Sequence, residues 1–146
     1  MAEGVRRPDI IDLRGRQDEP AVLNVLVLSH GSEEALDEVR SHYASGEWEF
    51  IGLQVEGQVV GCAGAERLDG ETIGMRSIAV DPSTRHRGLG RALIDALAER
   101  LGARRVVAET DDDAVGFYRS CGFAIESARP KFGRARYWCV LDMPDR

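Results

Sequence analysis

The sequence lacks the cysteine and histidine patterns that mark disulfide scaffolds and metal proteins. Its three cysteines, Cys62, Cys121 and Cys139, form an odd set without a C-x-x-C pair, which indicates neither a disulfide framework nor a zinc knuckle. The three histidines lie far apart and form no i, i+4 pair beside an acid, so the spacing typical of a metal site is missing. We therefore expect reduced thiols, a cytoplasmic protein and no bound metal.

Long apolar runs and an excess of positive charge are also missing. No segment approaches the roughly 18 to 20 apolar residues that a membrane span needs, and no apolar region follows the charged first seven residues as it would in a secretory signal. Nineteen Lys and Arg residues stand against 25 Asp and Glu residues, which gives a net charge of −6. We therefore expect a soluble chain that binds neither membranes nor nucleic acid, in which an anionic ligand needs a local site.

The remaining composition fits one domain over residues 1–146, since 43% hydrophobic and 30% charged residues are ordinary globular values. Strands are predicted at 8–15, 50–55, 58–65, 72–80, 105–108, 123–127 and 136–142, and helices at 19–30, 33–44, 89–101 and 112–120. The segment 19–30 is compatible with a helix or with a buried strand, because periodicity alone does not separate them. This order predicts an α/β domain with a mixed sheet.

The passage from strand to loop to helix at residues 78–91 is the most informative segment. Its glycine-bearing loop opens directly into a helix, so unpaired backbone amides converge where the helix dipole is positive, and this arrangement favours an anion. Gly88 and Gly90 allow a ligand to approach the backbone without meeting a Cβ. Arg85, Arg87 and Arg91 add positive charge. The segment predicts a pyrophosphate site, and a tight turn with solvated arginines is the alternative.

Two common phosphate loops do not fit this segment. A dinucleotide-binding fingerprint that starts at Gly88 needs Gly or Ala at position 93, where the chain has Leu93. A Walker A loop needs a Gly-Lys-Ser/Thr sequence, which is missing. The chain therefore has neither a Rossmann fingerprint nor a P-loop here.

Three features in order make the chain resemble the GCN5-related N-acetyltransferase (GNAT) family over nearly its whole length. Residues 85–90, Arg-His-Arg-Gly-Leu-Gly, match that family's pyrophosphate loop pattern Gln/Arg-x-x-Gly-x-Gly/Ala. Val-Asp-Pro at 80–82 resembles the end of the family's fourth strand, and residues 117–123 are similar to its Phe-Tyr-x-x-x-Gly-Phe segment. The resemblance implies an α/β fold of the α+β type, a single GNAT-like domain. Its central sheet should be mixed, mostly antiparallel and twisted, with about six or seven strands flanked by about four helices.

The resemblance also implies an acetyl-CoA-dependent N-acetyltransferase that passes the acetyl group directly to a primary amine of a small molecule or peptide. In the family, the fourth strand splays from its neighbour and its backbone binds the pantetheine arm, while the loop amides bind the pyrophosphate. The cofactor-binding residues carried over in this way are Ile78, Ala79, Val80, Arg85, His86, Arg87, Gly88, Leu89, Gly90 and Arg91. The implied partners are acetyl-CoA, an amine acceptor and a possible second copy of the chain.

The family pattern also suggests the catalytic residues. Tyr118 matches a tyrosine whose hydroxyl approaches the thioester sulfur in relatives, which implies a general acid for the departing thiolate, with packing as the alternative. The strand acid that many relatives carry falls on Gly74 here. Glu109 is the candidate general base in its place, with Glu71 or a water chain to a backbone carbonyl as alternatives.

Other positions allow two interpretations. Many relatives have an Asn at Asp111, and an ionised Asp cannot donate a hydrogen bond, so we favour a capped helix start over a cofactor contact there. Cys121 is interpreted as structural, since no activating base is near in sequence. Trp48, Tyr137 and Trp138 fit an acceptor pocket or ordinary packing equally well.

Two other functions compete with the enzyme. Gly74 and Asp111 allow a catalytically weak acetyl-CoA-binding or regulatory module of the same fold. A nucleic-acid-associated protein would use residues 85–105, where six arginines oppose one Asp and one Glu. The overall acidity of the chain argues against the latter.

Overall fold

The computed structural model describes residues 9–84 and 88–144, which form seven strands and four α-helices. In chain order the elements are β1 (Asp9–Asp12), α1 (Pro20–Leu26), α2 (Glu33–Ala44), β2 (Glu49–Val55), β3 (Gln58–Arg67), β4 (Thr72–Val80), α3 (Leu89–Leu101), β5 (Arg105–Thr110), α4 (Val115–Ser120), β6 (Ala124–Lys131) and β7 (Arg134–Asp142). Single turns of 3-10 helix follow α1 at Val27–Ser29 and β4 at Pro82–Thr84. Within these described ranges, no helix combines the length and apolar character needed to cross a bilayer.

Local sequence signals explain several helix boundaries. Pro20 occupies the first turn of α1, where its missing amide has no helical partner to lose. Of the segment 19–30, residues 20–26 are α-helix and residues 27–29 a 3-10 turn, so the segment is not a strand. α2 begins after Ser32, whose Oγ accepts a hydrogen bond from the Ala35 amide at 3.1 Å. α3 ends at Gly102, which has a φ of 64° in the left-handed region. The prediction for α2 and α3 is confirmed at both ends.

The start of α4 differs from the prediction. The sequence predicts Asp112 or Asp113 as the N-cap, but the helix begins at Val115 after an N-cap at Ala114. The Asp111 carboxylate accepts hydrogen bonds from the Asp113 and Ala114 amides at 3.0 and 3.2 Å, and these bonds hold the segment as a turn before the helix.

The seven strands form one sheet in the order β1-β2-β3-β4-β5-β7-β6. Every neighbouring pair is antiparallel except β4 and β5, which run parallel. Glu56 and Gly57 join β2 to β3 with φ values of 49° and 82°, which are typical of a two-residue hairpin turn. Phe132 and Gly133 do the same between β6 and β7, with φ values of 52° and 73°, so this hairpin is longer than predicted. The expected mixed, mostly antiparallel sheet is confirmed.

Helices cover both faces of the sheet, and each face has its own core cluster. Leu93 and Leu97 of α3 are fully buried against β2, β3 and β4, and Tyr118 of α4 joins the same cluster. α1 and α2 cover the opposite face, where Val22 and Tyr43 are fully buried. The sheet is therefore the middle layer of three.

The parallel pairing between β4 and β5 is short. Its three residue pairs join residues 72–74 to residues 105–107. Beyond them β4 continues along β3, and β5 continues along β7. The two strands diverge after Gly74, and β5 does not cover the following part of β4.

A β-bulge at Arg76 changes the face to which the end of β4 turns its side chains. The register with β3 shifts between Gly64 and Ala65, which leaves Arg76 as the extra residue. Before the bulge, Ile73 belongs to the cluster under α3. After it, Ser77 lies against Tyr43 on the face covered by α1 and α2. Because side chains alternate along a strand, the bulge turns Ser77 to that second face.

Candidate functional site

A cleft of about 1020 Å³ opens where β4 and β5 diverge. Its lining comes from both faces of the sheet. Residues on the side of α3 and α4 include Gly88, Gly90 and Tyr118, and residues on the side of α1 and α2 include His30, Gly31 and Ala35. The cleft therefore passes through the sheet at the gap between the two strands.

One end of the cleft is the N-terminus of α3. The first intrahelical hydrogen bond runs from the Ala92 amide to the Gly88 carbonyl, so the helix does not use the amides of Leu89, Gly90 and Arg91. Gly88 has a φ of 71°, which glycine adopts without strain. These amides lie at the positive end of the helix dipole, which suits an anion. Three residues of the predicted pyrophosphate loop, Arg85, His86 and Arg87, lie outside the described residues.

Gly90 and Arg91 also join α3 to α4. A Cβ at Gly90 would overlap the ring of Phe117, so the glycine permits the close approach of the two helices. The Arg91 side chain donates from Nη1 to the Cys121 carbonyl at 2.8 Å and from Nε to Asp95 at 2.9 Å. The guanidinium that the sequence assigned to the anion site therefore also has a structural contact.

The diverging part of β4 forms one wall of the cleft. Ile78, Ala79 and Val80 all line it. The Ala79 and Val80 side chains are buried in the two core clusters on opposite faces of the sheet. The side chains pack while the strand edge borders the cleft, so an extended ligand with amide groups can lie along the backbone as an added strand does.

Tyr118 reaches the cleft from α4 between two aromatic neighbours. Its ring packs edge to face on Phe117 and Phe123, with ring centroids 5.2 and 5.1 Å away. Only 7% of the residue is exposed, and this burial raises the pKa of the hydroxyl above its ordinary value. The hydroxyl has no hydrogen-bond partner among residues 9–84 and 88–144. It is protonated at neutral pH and available to donate to a ligand in the cleft.

Glu109, at the end of β5, lines the same cleft as an ion pair. Its Oε2 lies 3.0 Å from Lys131 Nζ and 3.0 Å from Arg136 Nε. Hydrogen bonds from Lys131 and Arg136 lower the pKa of the carboxyl group, so the carboxylate is ionised at neutral pH and weakly basic. The structure brings Glu109 into the cleft but gives its charge two partners from the β6–β7 hairpin.

A hydrogen-bonded chain of three side chains, which the sequence did not indicate, lies at the other end of the cleft. His30 Nε2 is 2.8 Å from Ser77 Oγ, and the Tyr43 hydroxyl donates to the same oxygen at 2.8 Å. Tyr43 is fully buried and Ser77 is 4% exposed, while His30 and Ser77 line the cleft. The three residues come from distant segments, so no local motif connects them. A serine among the apolar residues that end β4 is the signal that could have identified the site.

Comparison with known proteins decides the family. Residues 46–125, more than half of the chain, match the family described as Acetyltransferase (GNAT) domain. The chain belongs to the GNAT family. Its relatives include an uncharacterized Mycobacterium leprae protein, 37% identical over 90 residues that make up 57% of this chain and 25% of that protein. The N-alpha-acetyltransferase RimI of Mycobacterium tuberculosis is 36% identical over 92 residues, which make up 58% of each chain. The matches thus span less than two thirds of either relative's length.

The GNAT fold is also found among solved structures. A GNAT family acetyltransferase from Elizabethkingia anophelis, with acetyl-CoA bound, matches with a TM-score of 0.67 and 19% identity, covering 94% of this chain and 97% of that one. This likeness establishes the fold, including its sheet of seven strands and four flanking helices, as the resemblance in sequence implied.

In this GNAT domain the expected strand acid is replaced by the last residue of β4 that pairs with β5, Gly74. Gly74 is buried beside the Leu68 side chain. The alternative candidate Glu71 stands at the preceding turn, 4.0 Å from Arg104, and is not among the residues that line the cleft. β4 itself contributes no carboxylate, so a general base has to come from another element.

The remaining candidates differ in where they lie relative to the cleft. Cys121 is buried, and burial raises the pKa of its thiol, which disfavours a nucleophilic thiolate. Trp48 belongs to the core cluster under α1 and α2, and the Tyr137 hydroxyl donates to Asp112 at 2.5 Å. Neither these two aromatic residues nor Trp138 lines the cleft. Among the described residues, no three His, Cys, Asp or Glu side chains gather as metal ligands.

Proposed function

We propose that this GNAT domain is an acetyl-CoA-dependent N-acetyltransferase that transfers an acetyl group directly to a primary amine of a small molecule or peptide. The cleft through the sheet carries the proposal, because it connects an anion-binding end at α3 with a second, separate end at His30. A two-substrate transfer needs such a passage, in which each substrate enters from its own side. The relative named as an N-alpha-acetyltransferase and the neighbour with acetyl-CoA bound support this assignment.

Acetyl-CoA suits the α3 end in charge and in shape. Its pyrophosphate would accept hydrogen bonds from the amides of Gly88, Leu89, Gly90 and Arg91 at the start of α3. Its pantetheine arm carries amide groups that would pair with the backbone of Ile78, Ala79 and Val80. On the motif alone, we extend the site to Arg85, His86 and Arg87.

The reaction forms a C–N bond and breaks the C–S bond of the thioester. The departing CoA thiolate needs a proton, and Tyr118 is the proposed donor because it lines the cleft with an uncommitted hydroxyl. Its raised pKa keeps the hydroxyl protonated at neutral pH, so the proton is present when the thiolate leaves. Direct attack by the amine is favoured over an acylated cysteine, because burial keeps the Cys121 thiol protonated.

The amine must lose a proton before or during its attack. Glu109 is the family-based candidate for this general base and lies in the cleft as required. Its ion pairs with Lys131 and Arg136 stabilise the carboxylate and weaken it as a base. Because Glu109 is a weak base, a second proton acceptor in the cleft would help to remove the proton from the amine.

A broad acceptor screen tests the proposed function. The purified chain is incubated with acetyl-CoA and one amine at a time, and free CoA thiol is followed over time. The panel begins with peptides that have a free N-terminus, following the relative's name, and continues with lysine peptides, polyamines, aminoglycosides and amino acids. The same peptides with a blocked N-terminus are the matched controls. We expect CoA release that depends on the free amine.

The competing function predicts a different result from the same samples. A catalytically weak acetyl-CoA-binding or regulatory module would show a higher melting temperature with acetyl-CoA and no CoA release with any amine. That combination would reject the enzyme and retain the cofactor site. Absence of both effects would reject the cofactor site as well.

A further inference from the structure

We propose that Ser77 and His30 form a relay that takes the proton from the acceptor amine, and that Tyr43 is a positioning residue for this relay. The inference rests on the proposed function, since it concerns the proton that an amine loses when it attacks the thioester. It names residues at the end of the cleft opposite α3, where the acceptor would enter if acetyl-CoA occupies the α3 end. None of the three residues belongs to a family motif found in the sequence.

We assign these hydrogen bonds a direction that runs from Tyr43 through Ser77 to His30. Tyr43 is fully buried, and its hydroxyl donates to Ser77 Oγ at 2.8 Å. Ser77 Oγ is in turn 2.8 Å from His30 Nε2. If Ser77 donates its own proton to His30 Nε2, every hydroxyl proton in the chain has an acceptor. The imidazole then carries its proton on Nδ1, and Ser77 Oγ retains a second lone pair for an incoming amine.

Two features of the fold bring Tyr43, Ser77 and His30 into hydrogen-bond distance. The bulge at Arg76 turns Ser77 to the face covered by α1 and α2. Gly64, the partner of Ser77 on β3, leaves the space that the Tyr43 ring occupies, because a Cβ there would overlap the Tyr43 hydroxyl. Ser77, a buried residue that still lines the cleft, is thus held by the sheet on one side and by Tyr43 on the other.

Burial keeps the imidazole of His30 neutral. Burial lowers the pKa of His30 below its ordinary 6.5, so the ring can accept a proton at pH 7. α1 contributes no charged residue, and the first turn of α2 contributes Glu33 and Glu34. The charged residues that line the cleft with His30 are Arg76, Glu109, Arg91, Asp111, Asp113 and Arg136. Burial, rather than any of these charges, is the cause of the shift.

The proposed step balances in protons. The acceptor enters as an ammonium ion and gives one N–H proton to Ser77 Oγ, while the Ser77 hydroxyl passes its own proton to His30 Nε2. The neutral amine nitrogen then forms the C–N bond as the C–S bond breaks. Tyr118 gives its proton to the CoA thiolate, and the second N–H proton of the former ammonium restores Tyr118. The imidazolium releases its proton to solvent, so the net products are the amide, CoA and one proton.

Four variants test the relay in steady-state kinetics. His30→Gln keeps a side-chain amide near Ser77 but cannot carry the proton, and Ser77→Ala removes the hydroxyl. The double variant combines these two changes. His42→Gln is the matched control, because His42 lies on α2, stacks on Trp48 at 3.8 Å and does not line the cleft. Acetyl-CoA affinity and melting temperature are measured for each variant.

We expect each single variant to lower kcat/KM for the amine at pH 7 by roughly 10²-fold, and the double variant to be no worse than either single one. The KM for acetyl-CoA should stay unchanged, and His42→Gln should behave as wild type. The loss in His30→Gln should shrink toward pH 9, where more of the amine is already unprotonated. Wild-type kcat/KM should fall on the acid side as His30 becomes charged, below pH 6.5.

Tyr43→Phe tests the positioning role by the pH profile. Removing the donor to Ser77 should lower kcat/KM by up to about tenfold, the worth of one hydrogen bond, and move the acid limb of the profile, which a merely structural loss would not do. Nitrogen NMR shifts of the imidazole, assigned by their absence in His30→Gln, should show a neutral ring with its proton on Nδ1 at pH 7. A cationic His30 at that pH would overturn the relay.

The failures of the two proposals are distinguishable. If wild type releases no CoA with any amine, the proposed function and the relay both fall. If wild type turns over and His30→Gln keeps its rate, or if the two single losses multiply in the double variant, only the relay falls. A loss that appears in acetyl-CoA affinity instead of the amine step also contradicts it.

Discussion

The two ends of the cleft differ in the groups that form them, which are backbone amides at one end and side chains at the other. The α3 end uses backbone amides of consecutive residues that follow Gly88, together with the dipole of one helix. The opposite end, at His30, is called the α2 end because it lies under α1 and α2. It uses side chains, and three distant segments supply them as His30, Ser77 and Tyr43. A backbone site depends on local conformation, whereas a side-chain site depends on how separate elements pack. The same cleft thus has one end that a short motif encodes and one that only the tertiary structure assembles.

Both ends nevertheless rely on a glycine that accommodates an aromatic ring. Gly90 makes room for Phe117 between α3 and α4, and Gly64 makes room for Tyr43 between α2 and the sheet. Glycine thus shapes both ends of the cleft through the packing that it permits. Substitutions at each end should therefore separate effects on acetyl-CoA from effects on the acceptor amine.

The largest effect should come from Tyr118, which reaches the cleft from α4. Tyr118→Phe keeps the ring contacts with Phe117 and Phe123 and removes only the proposed donor. We expect kcat to fall by roughly 10²-fold or more, while acetyl-CoA affinity stays nearly the same, because the backbone site is unchanged. Steady-state kinetics and a binding titration measure the two quantities. Unchanged turnover would remove the catalytic role of Tyr118.

At the α2 end, Gly64→Ala should cost about 1–3 kcal/mol of folding free energy, because the added Cβ overlaps the Tyr43 hydroxyl. Denaturant unfolding measures this loss, and the KM for the amine should rise more than the KM for acetyl-CoA. A double-mutant cycle with Tyr43→Leu supplies the control. The cost of Gly64→Ala should be much smaller in that background, and full additivity would contradict the packing explanation.

At the α3 end, Gly90→Ala should destabilise the fold by about 1 kcal/mol, because Phe117 has to move. Here the affinity for acetyl-CoA should fall and the KM for the amine should change little. Gly116→Ala in α4 is the matched control, since a Cβ there meets nothing within 4 Å, and it should be neutral or slightly stabilising. An equal loss in both variants would refute the role of Phe117.

The smallest effect is expected at Asp111. Asp111→Ala removes the acceptor for the amides of Asp113 and Ala114 and should lower stability by about 0.5–1 kcal/mol. Asp111→Asn retains an oxygen acceptor and should lose less. Thermal melts compare the two variants with and without acetyl-CoA. A loss confined to acetyl-CoA affinity would instead indicate a cofactor contact at Asp111.

The sequence was sufficient to predict the fold, and it indicated residues 78–80 and 88–91, all of which line the cleft. Strong local signals, such as Ser32 before α2 and Gly102 after α3, determine helix ends with little help from the rest of the chain. The bulge at Arg76 has no such signal, because it depends on register with β3. Without the bulge, the alternation of β4 would turn Ser77 toward α3, and the contact with His30 would not form. The sequence does not predict the ion pairs of Glu109 either, since they depend on where the β6–β7 hairpin places Lys131 and Arg136.

The short parallel pairing between β4 and β5 has a consequence for the rigidity of the sheet. Three residue pairs are the backbone connection between a half-sheet of β1 to β4 and a half-sheet of β5 to β7. A pantetheine arm that lies along β4 would add backbone hydrogen bonds beyond Gly74, where β5 no longer pairs with β4. Amide hydrogen exchange at residues 72–74 should therefore slow with rising acetyl-CoA concentration, because the added hydrogen bonds would stabilise the pairing of β4 with β5.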